Sequence, residues 1–180
     1  MSIEELRQKD KNFDESMFLT KVANIFVKLL TSVMRQDTKD VAHFLAPSVR
    51  SLAEEKITSM KSQNKRQMYD ELNVKDSKII SIEEMEDTYQ IKVLLQSRYM
   101  DYIIDLESGL KVSGDDTRRI LINYLLTFTK KKNTLENKTI RRCPSCGAPI
   151  SVNTSGTCLY CNSLYNEEDY DWILTEIERY

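Results

Sequence analysis

Four cysteines carry the most specific chemistry in this chain. They stand as Cys143-Pro144-Ser145-Cys146-Gly147 and Cys158-Leu159-Tyr160-Cys161-Asn162, two C-x2-C pairs with eleven residues between them. A two-residue gap lets both thiolates of one tight turn converge on a tetrahedral Zn²⁺ at about 2.3 Å, and a second such turn completes four ligands. Gly147 and Asn162 follow the two pairs, where a residue tolerant of positive φ lets backbone N–H groups turn toward the sulfurs. The separation is shorter than the about 15 to 20 residues of the usual ribbon template, so a compact, short-hairpin zinc ribbon is expected. A closed four-thiolate site has no open position for substrate, which makes the one expected Zn²⁺ structural and not catalytic. A disulfide framework would need an oxidising compartment, and a redox dithiol would need a single C-x-x-C on a βαβ unit; both are weaker readings.

The other candidate groups are dispersed. His43 is the one histidine, so a multi-histidine metal centre is excluded and any nucleophile–histidine–acid set would have to use it. It stands in a short helical pattern beside Phe44 and Leu45, where a half-buried structural role is expected. Ahead of the first cysteine pair, Lys130, Lys131, Lys132, Lys138, Arg141 and Arg142 form a basic neck. It reads either as a solvated linker or as a patch for anionic lipid headgroups or an acidic partner, each charge contributing about 1 kcal/mol. From Cys143 to Tyr180 the balance reverses, with Arg179 alone against Glu167, Glu168, Asp169, Asp171, Glu176 and Glu178. That sign repels phosphate, so nucleic acid is not an expected partner of the ribbon, and ribosome or nucleic-acid association through the neck is a lesser alternative.

The elements that must position these groups follow from composition and period. The chain has 180 residues, which fits one domain, or one domain plus a small module. With Lys+Arg 26 against Asp+Glu 28 the balance is that of an ordinary globular protein, and Gly 4 with Pro 3 favours long regular elements. No apolar run approaches the roughly 18 to 20 residues of a spanning helix, and Met1 to Lys11 lacks a signal-peptide core, so a cytoplasmic location, peripheral to a membrane at most, is expected. A helix is predicted from about Asp14 to Met34, with Phe18, Val22, Ile25, Phe26, Leu29, Leu30 and Val33 on one face, Asp14 as N-cap and Phe13 stapled on Phe18. Asp37 is expected to cap a short helix with Val41, Phe44 and Leu45. Pro47 is expected to open another that turns Val49, Leu52, Ala53, Ile57 and Met60 inward. A polar stretch, Lys61 to Arg66, ends the helical half.

From about Leu72 the period becomes that of strands, clearest at Tyr89, Ile91, Val93 and Leu95 and at Ile120, Ile122, Tyr124, Leu126 and Phe128. Glu107-Ser108-Gly109 and Ser113-Gly114-Asp115-Asp116 read as the turns between them. Helices followed by a meander imply an α+β fold, three helices packed on one face of an antiparallel sheet. The outer face of the later strand, Arg119, Asn123 and Thr127 beside Leu121 and Leu125, is either solvated or meets another subunit, which leaves a homodimer open.

Taken together, these residues resemble the Tim-forty-four-like domain family. The resemblance is carried by Asn12-Phe13-Asp14 through Thr127-Phe128, including Asp101, Tyr102 and Asp105 before the Glu107-Ser108-Gly109 turn, by the Val112-Ser113-Gly114-Asp115 hairpin, and by Asp171-Trp172-Ile173-Leu174-Thr175-Glu176-Ile177. Bacterial members with a four-cysteine ribbon look most similar. The resemblance implies a cone-like fold of the nuclear-transport-factor-two-like type over residues 12–132. A last strand at 170–178 would return to the sheet, with the ribbon at 141–166 inserted before it. It also implies a non-enzymatic adaptor that holds a lipid or a polypeptide in an apolar cavity or on its sheet, peripheral to a membrane. The candidate lining is Phe26, Leu30, Phe44, Tyr89, Tyr99, Tyr102, Tyr124 and Phe128. The alternative that the resemblance implies is a small-molecule enzyme of the same cone fold, isomerase- or dehydratase-like, for which Tyr99, Asp101, Tyr102, Asp105 and His43 could supply acid–base groups, although nothing in the sequence places them together.

Overall fold

The computed structural model describes residues 1–132, 141–143, 146–150, 158–161 and 171–180. Its first helix, α1 (Ile3–Lys9), lies upstream of any helix the periodicity marked. Ser2 and Glu5 close a capping box around its start, and Leu6 alone is buried, too sparse an apolar face to read from the sequence. The main helix, α2 (Glu15–Arg35), begins at the Asp14 cap, whose carboxylate accepts the Met17 N–H at 2.8 Å. Phe13 packs on Phe18 with ring centroids 5.6 Å apart. α2 is, by length and composition, long and apolar enough to cross a membrane, which the expectation of no spanning-length segment did not allow for. In the fold its apolar face, Phe18, Val22, Ile25, Phe26, Leu29, Leu30 and Val33, is buried.

The helix expected after Asp37 is only a three-residue 3-10 turn, Ala42–Phe44. The Asp37 carboxylate accepts the Lys39 N–H at 3.0 Å in a local turn, and no side chain caps the segment that follows. Next, α3 (Pro47–Ser62) buries Val49, Ala53 and Ile57. Leu52, expected inside, is 59% exposed, because it lies off that three-residue stripe.

Among the described residues the sheet is antiparallel and four-stranded, in the order β1-β2-β3-β6, from β1 (Lys65–Glu84), β2 (Thr88–Asp105), β3 (Lys111–Lys131) and β6 (Ile173–Arg179). A separate pair joins β4 (Arg141–Arg142) to β5 (Pro149–Ile150). β1 starts seven residues before the expected change of period, since its first inward residues, Gln67 and Tyr69, do not read as an apolar alternation. The core lies between the sheet face of Tyr89, Ile91, Val93, Leu95, Tyr99, Ile122, Tyr124, Leu126 and Phe128 and the apolar face of α2. Phe18 meets Phe128 edge-on at 5.6 Å, and Phe26 meets Tyr124 at 4.7 Å.

The second expected turn is also revised. Ser113-Gly114-Asp115-Asp116 lies inside β3, where Ser113 faces Ile103, Gly114 faces Tyr102 and Asp115 faces Asp101. At that level the register of all three long strands is interrupted: β1 jumps from Asp70 to Asn73 and β3 from Asp115 to Ile120. Extra residues in both outer strands of the ribbon bend it, and at this level Gln67 is buried and donates to Asp101 at 2.7 Å. The true hairpin between β2 and β3 is tied by Asp105, whose carboxylate accepts the N–H groups of Glu107 and Ser108.

Candidate metal centre

The first cysteine turn is built by the β4–β5 hairpin. Cys143 N–H donates to Ala148 O at 2.7 Å and Gly147 N–H to Cys143 O at 2.8 Å, with Gly147 at φ +72. That backbone conformation is one that L side chains rarely adopt. Asn162, assigned the same task in the second turn, lies outside the described residues. The four Sγ atoms lie within 4.8 Å of one another. Cys143 and Cys161 are 3.6 Å apart, and Cys146 and Cys158 are 3.7 Å apart. These separations are far beyond an S–S bond of about 2.05 Å. They match the edge of about 3.8 Å that a tetrahedron of sulfurs has around an ion at about 2.3 Å.

The donor set also fits a cation electrostatically. The Ala148 amide favours the Cys146 thiolate, but loss of hydration and the sulfurs of Cys161, Cys158 and Cys143 outweigh it and push the thiol up to about 12. A cation among the four sulfurs would reverse that balance at Cys146, and the four cysteines, with their Sγ atoms within 4.8 Å of one another, could hold a metal ion. Cys143 and Cys158 are buried and Cys146 and Cys161 are exposed, while Leu159 and Tyr160 project outward from the second turn.

The neck that leads into this module is largely spoken for. Lys130 is buried and ion-paired with Asp10, and Lys132 pairs with Glu84 at 3.0 Å. Lys130 and Lys132 are therefore held by the body of the protein and not offered as a free cationic patch, a departure from the solvated or lipid-facing neck expected of them. Lys131 is half-buried, Lys138 lies outside the described residues, and of Arg141 and Arg142 the backbone pairing alone is described. On the far side of the insertion Lys21 holds Asp171 at 2.6 Å, and Trp172 packs on Phe13 and Phe18 at 6.1 and 5.3 Å.

Of the candidate lining, Phe26, Tyr99 and Phe128 expose no surface, and Leu30, Tyr89 and Tyr124 are also buried. These six fill the space between helix and sheet instead of lining an open cavity. Tyr102 points to the opposite side, where its hydroxyl donates to Asp70. Phe44 is the one that borders a described depression, about 350 Å³ beside α2, with Met17, Thr20, Lys21, Asn24, Ile25 and Lys28. Among the acid–base candidates, Tyr99 and Asp101 share one neighbourhood around Tyr69 and Arg179, and His43, Tyr102 and Asp105 do not join it. His43 is buried against Phe44, with ring centroids 3.9 Å apart, and Asp105 ties the hairpin. Tyr99 instead shares a 2.5 Å hydrogen bond with Tyr124. Lys56, Tyr69 and Arg179, which gather around that phenol pair, were not among the sequence candidates, because their proximity depends on the bend of the ribbon and on the return of β6.

The family model of the Tim44-like domain matches residues 1–140. Among solved structures, the intermembrane space region of the chloroplast protein ARC6 is similar, with a TM-score of 0.42 and 9% identity over 89% of this chain and 94% of that chain. No curated protein matches.

Proposed function

This chain belongs to the Tim44-like domain family, and from that premise we propose that it is a non-enzymatic adaptor, peripheral to a membrane, that holds a lipid or a polypeptide. The observation that carries the reading is the separation of His43, Tyr102 and Asp105 from Tyr99 and Asp101: the three occupy different places, bonded to different neighbours or to none. The family is associated with translocation roles at membranes, which supports the adaptor assignment. Since the aromatic core is closed, the place offered to an apolar ligand is the depression beside Phe44, whose volume is in the range of small ligand sites. Lys21 and Lys28 stand over its Phe44 ring at 5.3 Å each, and since Lys21 is paired with Asp171, Lys28 is the cation that suits an apolar group with an acidic head.

The four thiolates of Cys143, Cys146, Cys158 and Cys161 hold one structural Zn²⁺ in this reading. Zinc would supply a cross-link between the two cysteine turns, and the thiolates would supply all four ligands. Vesicle flotation tests the adaptor reading. The zinc-loaded protein is expected to float with vesicles containing anionic lipid at low salt and less so at physiological salt, where the screening length shortens to about 8 Å. No flotation with neutral or anionic vesicles at either salt would remove the membrane part and leave a polypeptide as the cargo.

A further inference from the structure

Between α3 and the bent end of the sheet lies a polar cluster that neither the metal module nor the depression uses. Lys56 of α3 donates to the Tyr69 hydroxyl at 2.8 Å. The Tyr69 ring meets Tyr99 edge-on at 5.4 Å, and the Tyr99 and Tyr124 hydroxyls are 2.5 Å apart. Arg179 of β6 is the cross-strand partner of Tyr124 and reaches Asp101 at 3.0 Å, while Asp101 is the partner of Tyr69 and also accepts Gln67 Nε2 at 2.7 Å. Five elements therefore converge on three nearly buried phenols.

Hydrogen-bond accounting in this cluster does not balance. A phenol carries one proton and an ammonium three. Tyr69 accepts from Lys56, so its own proton is unspent, and whichever of Tyr99 and Tyr124 donates to the other, the acceptor's proton is unspent too. Lys56 keeps two further N–H groups and, among the described residues, pairs with no carboxylate. The one acid at hand, Asp101, is taken by Arg179 and Gln67. The excess is thus of donors and of positive charge: the phenols are nearly buried, where unpaired donors are costly, and Lys56 is half-buried at their edge. Burial lowers the pKa of the Lys56 ammonium, with Arg179 adding to the effect and Asp101 opposing it, the direction expected for a cation that lacks a counter-ion.

We propose that Lys56, with the hydroxyls of Tyr69 and of the Tyr99–Tyr124 pair, forms a binding site for an oxyanion, a carboxylate or a phosphate group. The anion supplies the acceptors these donors lack, and Arg179 adds a second cation to the field around it. The site is distinct from the depression beside Phe44 and does not depend on the adaptor reading. Its ligand group can come from a free small anion or from a lipid headgroup.

The experiment uses the full-length, zinc-loaded protein with tyrosine ring carbons labelled for NMR. It is titrated with inorganic phosphate and with acetate, and in parallel floated on phosphatidylcholine vesicles with and without phosphatidic acid. Saturable shifts of the Tyr69 and Tyr124 ring signals are expected, with Lys56→Met weakening the affinity about tenfold, the size a charge-assisted hydrogen bond supports. Tyr69→Phe and Tyr124→Phe keep the rings and remove only the hydroxyls, so they decide the matter if Lys56→Met fails to fold, and a severalfold loss is expected of each. Saturation by phosphate or acetate assigns the site to a free anion. Silence toward both, with flotation on phosphatidic acid lost in Lys56→Met or in the Tyr→Phe variants but kept in Lys28→Met, assigns it to a headgroup. Unsaturable shifts, or binding that these variants leave unchanged, would overturn the oxyanion site while leaving flotation free to report on the adaptor reading by itself.

Discussion

His43 shows how a single residue can set the acid limit of this fold. It is 4% exposed, its Nδ1 has no hydrogen-bond partner among the described residues, and Lys21 and Lys28 flank the adjacent Phe44 ring. Burial first, then Lys28 and Lys21, bring the imidazole from 6.5 down to about 4, with Asp40 pulling the other way. The folded state thus disfavours the protonated ring. The stability His43 contributes is fully present above pH 6.5 and is lost as the pH falls toward 4, by about 2–3 kcal/mol at the acid end. Urea unfolding of the wild type and of His43→Leu should therefore diverge in its pH dependence between 6.5 and 4, with the variant losing less. Parallel profiles would assign the acid sensitivity to the carboxylates instead. The same scale explains why the ties of Lys130 could not be read in advance: a run of lysines does not show that Lys130 meets an acid 120 positions away.

At the scale of elements, the decisive feature is the aligned interruption of β1, β2 and β3. Gly114 sits there at φ +83, and a Cβ built on it would collide with Asp101 O and come within 2.5 Å of Tyr102 Cα. Backbone cannot yield as the end of a flexible side chain can. Gly114→Ala should cost about 2 kcal/mol or more, combining left-handed strain with the clash. Gly109, at φ +71 in the hairpin, has nothing within 4 Å of such a Cβ, so Gly109→Ala should cost only about 1 kcal/mol. Denaturant midpoints of the two variants compare these directly, and equal losses would show that the close approach at Gly114 is relieved by local adjustment. A Gly-containing cluster ordinarily marks a turn, which is why the sequence reading broke the strand at a point where the chain bulges and continues.

Across the whole molecule, the cysteine module hangs between two strands that are neighbours in one sheet, β3 and β6. Its points of departure and return are fastened by Lys130–Asp10, Lys132–Glu84 and Lys21–Asp171. A metal held by the four cysteines would lower the entropy cost of closing the intervening chain, and the module and the sheet would then share stability. Trp172, the one tryptophan, enters the core where β6 begins and reports on the sheet itself. Chelation, or Cys146→Ser, should lower the thermal midpoint followed by Trp172 emission by about 2–4 °C, the equivalent of about 1 kcal/mol in a chain of this size. An unmoved midpoint would mean that the module melts on its own without burdening the sheet.

What the sequence determined by itself is what short range decides. The Asp14 cap and the α2 face follow from helical period, the β2 and β3 faces from alternation, and the gathering of four sulfurs from two-residue gaps, all within a turn or a few residues. Only the tertiary structure decided which aromatic residues close into core, that Tyr102 faces away from Tyr99, and that Lys56, Tyr69, Tyr124 and Arg179 meet. Those outcomes hang on strand register and on bulges, where the insertion of one residue reverses the face of every side chain beyond it. No local pattern encodes that choice, because it is made by the fit of helix to sheet across residues far apart in the chain.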